Sequence, residues 1–324
     1  MVRSLLGTLL KIAGAGTVGW LAYSRFGVNH DMPIGPAIDA ERLEFSGPTS
    51  CFLSYYADNA GSGRPLVLLH SINAAASAYE VMPIFNHYSG VRPVYALDLP
   101  GFGFSERSDR EYSPELYSNA IIDFLNLIGD QADVIAMSLT CEFAGLAAER
   151  EPGLFHTLTM ISPSGFSAQT AQRDEEASDT AYNLLTNPVT AQPLFDLLTT
   201  RVSIAFFLSQ SFHGPADQGM IDYAFLAAHQ PGARFAPLYF VSGKLFTSNI
   251  AQRVYADLEL PVMVLYDQDQ FVDLGGLARF AEQHNNWRLR RIPNTRGLPH
   301  FERMDKVAEA LDSFWIAVHS AAIL

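Results

Sequence analysis

The sequence predicts an α/β protein with eight strands in a mostly parallel sheet, helices on both faces, and a helical insertion after the sixth strand. Three observations carry this. Short, largely apolar runs recur at Leu66–Leu69, Pro93–Leu97, Ala132–Met137, Thr157–Ile161 and Pro261–Tyr266, the first of them continuous, as strands buried on both faces require. Helical periodicity returns between them, which is the strand, crossover helix, strand pattern of a parallel sheet with ligands at its C-terminal strand ends. From Phe166 to about Leu258 that rhythm stops. The helical stretches Gln192–Phe212, Asp217–His229 and Ala233–Leu245, rich in Phe, Tyr and Leu, take its place.

The chain is therefore divided into an apolar segment over 1–30, a first core part over 31–165, a helical cap over 166–258 and a second core part over 259–324. At 324 residues, 48% hydrophobic and 17% charged, it has enough apolar material for a large core. A formal net charge of −13 argues against nucleic acid as a partner, since phosphate binding needs basic surface. Cys51 and Cys141 lack metal-ligand spacing and do not make a disulfide framework. No cluster of His, Asp and Glu has ligand spacing and no glycine loop is built to cradle phosphate, so neither metal nor cofactor is implied.

Leu5 to Tyr23 is largely apolar and free of acids, interrupted by Lys11 and flanked by Arg3 and Arg25. It is read as a membrane anchor, with the cytoplasm as the compartment otherwise. A spanning helix, a cleaved export signal and an interfacial helix are the three readings that compete for the segment; an apolar arm lying on the domain or in a dimer contact is the bland alternative. Leu43–Phe45 and Cys51–Tyr56 form an opening antiparallel pair around Gly47-Pro48, and Gly61–Pro65 is a loop. The third strand, Leu66–Leu69, runs into His70-Ser71-Ile72-Asn73, a helical stretch covers Ser77 to Phe85, and the fourth strand runs into Asp98–Ser105. Ser113-Pro114-Glu115 starts a helix with an N-cap and a first-turn proline. After the insertion come the strand Pro261–Tyr266, a helical stretch Leu274–His284, the strand Trp287–Ile292, and a final helix from Met304 through Trp315.

The strand ending at Met137 breaks at Ser138, and helical spacing resumes through Leu139, Phe143, Leu146 and Ala147. Such a turn lifts a hydroxyl above the sheet edge at a helix N-terminus, where free N–H groups favour developing negative charge. Ala136-Met137-Ser138-Leu139-Thr140 is a version of the G-x-S-x-G nucleophile elbow in which Ala136 and Thr140 replace the glycines. An N-cap serine is the plainer alternative.

With Leu68-Leu69-His70-Ser71, the Asp98-Leu99-Pro100-Gly101-Phe102-Gly103-Phe104-Ser105 loop and Leu298-Pro299-His300-Phe301-Glu302, the order of these pieces resembles the α/β-hydrolase superfamily over residues 42–318. The resemblance implies Ser138 as nucleophile, followed in chain order by an acid and a histidine. Asp269, directly after the buried strand, is the acid, with Asp267 as runner-up. The base departs from the pattern. The family writes G-H-x-P-x-x-E, and the position five before Glu302 is Gly297, so His300 stands three residues late. Either the loop 294–299 lets His300 reach Ser138 or the triad is incomplete. His213 and His229 could approach from the cap, while His70 resembles a structural member of its loop. The backbone N–H groups of Ile72 and Leu139 are the implied oxyanion donors.

The function expected from this is a serine hydrolase that cleaves an ester of an apolar small-molecule substrate through an acyl-enzyme on Ser138, with His300 and Asp269 completing the triad. C–C bond hydrolysis and cofactor-free peroxidase chemistry use the same triad. The alternative is a non-catalytic α/β-hydrolase scaffold that binds ligands or partners at a membrane.

Overall fold

The computed structural model describes residues 18–167 and 175–321. One sheet organises them, built from β1 (Glu41–Ser46), β2 (Phe52–Asp58), β3 (Leu66–Leu69), β4 (Val94–Asp98), β5 (Ala132–Met137), β6 (Phe155–Ile161), β7 (Val262–Tyr266) and β8 (Trp287–Arg291). Their spatial order is β1-β2-β4-β3-β5-β6-β7-β8. Strand β2 pairs antiparallel with β1 and β4, and every other pairing is parallel.

Every residue of β3 and β5 is buried, which is why β3 is wholly apolar and β5 apolar but for Asp133, whose carboxylate pairs with Arg92. Between strands lie α1 (Met82–Tyr88), α2 (Pro114–Ile128) and α3 (Thr140–Arg150). The expected helix start at Ser77 is a tight turn over Ala78–Val81 before α1 begins. In α2 the Ser113 hydroxyl accepts from Leu116 N–H, Pro114 occupies the first turn, and Gly129 closes the helix in the left-handed conformation (φ 80°).

Between β6 and β7 the described residues form α4 (Glu175–Leu185), α5 (Ala191–Leu198), α6 (Arg201–Gln210), α7 (Gln218–Ala228), α8 (Phe235–Val241) and α9 (Ile250–Arg253). The stretch read as one helix over Gln192–Phe212 is two, because Thr199 ends α5 and Thr200, in extended backbone, caps α6 through its hydroxyl. The chain ends through α10 (Leu277–Gln283), α11 (Pro299–Glu302) and α12 (Met304–Ala321). Two apolar cores form on the sheet, one holding Leu69, Phe124, Phe143 and Tyr255 and the other Leu68, Phe85, Ile135 and Leu311.

Residues 18–26 are helical, and Trp20 and Ser24 tie this stretch to α5 through the Pro193 carbonyl and the Asp196 carboxylate. Residues 1–17, most of the segment read as an anchor, lie outside the described residues. No helix among the described residues is long and apolar enough to cross a membrane.

Candidate functional site

Ser138 stands where β5 gives way to α3, with φ at 51°. A non-glycine residue in that left-handed region costs on the order of 1–3 kcal/mol and persists only where its surroundings hold it. They do so here through the Ser138 N–H, which donates to the Ile161 carbonyl at 2.9 Å, and through the Cys141 N–H, which donates to the Ser138 carbonyl at 3.2 Å. Thr140, bulkier than the glycine usual in such a turn, fits because its buried hydroxyl donates to the His70 carbonyl at 2.7 Å. That bond fastens the elbow to the loop after β3. His70 completes the fastening, since its Nε2 accepts from Leu99 N–H at 3.0 Å while Nδ1–H donates to the Ser71 carbonyl at 2.6 Å. Its part is structural.

The Asp98–Ser105 loop is also a structural device. The two Asp98 carboxylate oxygens accept from Ala78 N–H and Phe104 N–H, both at 3.0 Å. Gly103, at φ 52°, lies so close to that carboxylate that a Cβ would stand 1.9 Å from its carbon. Only glycine fits there.

A cavity of about 370 Å³ opens beside Ser138. Its floor carries Ser138, Ile72, Ser162 and Asp269, and its upper wall is largely apolar, with Leu198, Ile204, Phe207, Met220 and Phe240 from α5 to α8. Of the two expected oxyanion donors, Ile72 lines the cavity and Leu139 is the buried residue after Ser138. Asp269 follows β7, and one of its oxygens accepts from Phe271 N–H at 2.7 Å and Val272 N–H at 3.0 Å. Burial pushes its carboxyl above the usual carboxylate range, against the pull of those two N–H groups and of the Ser162 hydroxyl. The runner-up Asp267 is committed elsewhere, to Arg291 at 2.6 Å and Thr295 N–H at 3.2 Å.

The expectation for His300 is corrected. Pro299 opens α11 and carries His300 inward, where it is 1% exposed and Nε2–H donates to the Glu80 carbonyl at 2.6 Å. Its Nδ1 is buried without a partner, and neither nitrogen bonds Ser138 or Asp269. Burial lowers its pKa to about 4. Gly297 occupies the cavity wall instead, with the Oδ2 oxygen of Asp269 2.9 Å from where a Cβ would stand. The position that spacing from Glu302 assigns to the base is therefore also the one that faces the acid.

No other imidazole replaces it. All nine histidines fall within the described residues, and none lines the cavity. Of the cap candidates, His213 is exposed with its backbone N–H on Glu302, and His229 is buried with Nδ1 on the Phe225 carbonyl. Glu80 does line the cavity, but its oxygens accept from Ser71 N–H at 2.8 Å and Asn73 at 2.6 Å. Gly297 is the residue whose role sequence reasoning left open, although its distance from Glu302 marked it.

Among similar proteins, 1-acylglycerol-3-phosphate O-acyltransferase ABHD5 of Rattus norvegicus is 27% identical over 141 residues, covering 42% of this chain and 40% of that one. The chain thus spans less than half the length of this relative. A serine hydrolase involved in carbazole degradation, CarC, shares the fold at a TM-score of 0.67 and 17% identity, over 86% of this chain and 99% of its own. A membrane phospholipase A described as a bacterial virulence factor does so at 0.65 and 19%, over 98% and 99%. The alpha/beta hydrolase family profile matches residues 66–310, and with the eight-stranded sheet this places the chain in the α/β-hydrolase family.

Proposed function

We propose that this α/β-hydrolase family member holds an apolar ligand with an acyl group over Ser138, and that its own side chains do not complete a serine-hydrolase triad. The observation that carries this is Gly297 on the cavity wall beside Asp269, with His300 bonded to the Glu80 carbonyl. A serine hydroxyl is a weak nucleophile until a base takes its proton, and Ser138 has no imidazole to do so. The N–H groups of Ile72 and Leu139 would hold the acyl oxygen, and the apolar wall of α5 to α8 would cover the chain. A lipid-like ligand also accords with ABHD5, named for acyl transfer to a glycerophosphate, and with membrane association through residues 1–30.

The family and its esterase and lipase folds support hydrolase chemistry. A second reading, slow Ser138-dependent hydrolysis, is favoured by the strain kept at Ser138 and by the acid kept at Asp269. Oxyanion donors and binding alone leave about 10³–10⁴-fold over water in hydrolases stripped of a triad member. The test is p-nitrophenyl octanoate hydrolysis, with fluorophosphonate labelling mapped by mass. Wild type is expected to turn over no faster than Ser138→Ala and to remain unlabelled. Labelling at Ser138 with turnover that Ser138→Ala abolishes would overturn the primary reading in favour of the second.

A further inference from the structure

The cavity holds a carboxylate with nothing of its own sign-opposite to meet. Asp269 Oδ1 is engaged by two backbone N–H groups, while Oδ2 lies 2.9 Å from where a Cβ at Gly297 would stand, both residues lining the cavity. No lysine, arginine or histidine lines the cavity among the described residues, and Asp269 takes part in none of the ion pairs found there. A carboxylate oxygen withdrawn from water without a cation to meet it is costly. Its burial, with no positive neighbour to offset it, raises the Asp269 pKa.

The backbone at 297 does not by itself demand glycine, since it lies outside the left-handed region; a Cβ there requires only that the Asp269 carboxylate shift. The surroundings are small as well. The next atom beyond Asp269 that a Cβ would meet is the Ser211 Cβ, at 3.8 Å. Cavity volume, an acceptor oxygen that no cation or backbone N–H engages and an adjoining apolar wall therefore meet at one place, next to Ser138.

Building on the apolar-site reading above, we propose that the ligand supplies the missing nitrogen, as an amphiphile whose basic head group, an amine or imidazole, donates to Asp269 Oδ2 in the space beside Gly297. The apolar tail then lies along α5 to α8, and the head group's nitrogen stands between the acid and the serine. The class is specific. A fatty acid brings a second anion to Asp269, and a fatty alcohol brings only a neutral donor.

Displacement of a fluorescent apolar probe by decylamine, 1-decanol and decanoate tests this on the full-length protein. A charge-assisted hydrogen bond predicts decylamine binding about tenfold or more tighter than decanol, with decanoate weakest. In Asp269→Asn, whose amide oxygen still accepts from Phe271 and Val272, the amine-to-alcohol ratio should fall to about one. Gly297→His, which fills the space and gives Asp269 a partner within the chain, should lower the same ratio independently. Equal binding of amine and alcohol by wild type, or a preference that survives both substitutions, overturns the proposal while leaving the apolar site intact. Binding of none of the three compounds removes the apolar site and this proposal with it.

Discussion

Substituting Gly297 with histidine restores the family spacing to Glu302 and puts an imidazole beside Asp269. The structure sets the size of the effect. The backbone at 297 accepts a side chain, and the one close contact is the end of another side chain, Asp269 Oδ2 at 2.9 Å from the new Cβ. Turning that carboxylate aside costs up to about 1.4 kcal/mol for an off-rotamer side chain, roughly tenfold in rate. A positioned general base contributes about 10²–10⁴-fold. Gly297→His should therefore raise kcat/KM on p-nitrophenyl octanoate by about 10- to 10³-fold over wild type, after subtracting that strain. The gain should vanish in the double variant with Ser138→Ala. It should also rise with pH through a midpoint near the ordinary histidine value of about 6.5. A folded Gly297→His protein with no gain, or a gain indifferent to Ser138→Ala, would refute the assignment of Gly297 as the vacant base position.

Three further outcomes follow from the same geometry. Ser138→Gly relieves the left-handed strain, less the backbone entropy of glycine, and should raise the unfolding free energy in urea by about 1 kcal/mol. Thr140→Val leaves the buried His70 carbonyl without its donor and should cost about 1–3 kcal/mol in the same measurement. His300 is neutral in the fold down to about pH 4, whereas the unfolded chain takes up that proton near about 6.5, so the unfolded state binds more protons in between and stability falls as pH falls through that window. The resulting loss between about pH 7 and about pH 5 is roughly 2 kcal/mol. His300→Gln, which keeps a donor for the Glu80 carbonyl, should flatten the profile by that amount, and an unchanged pH slope would contradict it.

Much of the frame was legible from residue order. The apolar run at β3 and the run at β5, polar only at Asp133, read as strands covered on both faces, and the change of period at Ser138 placed the elbow. Counting back from Glu302 already reached Gly297. The count was sound because the Glu302 carboxylate anchors that loop, accepting from Arg296 N–H at 3.1 Å and from His213 N–H at 2.8 Å. Secondary-structure periodicity and short-range spacing are local quantities, and local quantities are written along the chain.

What could not be read there is where side chains point once distant segments meet. Asp267 and Asp269 are two residues apart in one loop, yet the first is claimed by Arg291 and the second faces the cavity. His300 was read as the base because the family order places a histidine after the acid, near Glu302. Its direction is set by the Glu80 carbonyl, 220 residues away, and by a helical turn that Pro299 starts. Thr140 looked too large for an elbow until the His70 carbonyl from another strand end gave its hydroxyl a partner. In each case the deciding partner comes from a remote part of the chain, because a buried polar group must be satisfied by whatever packing brings near it.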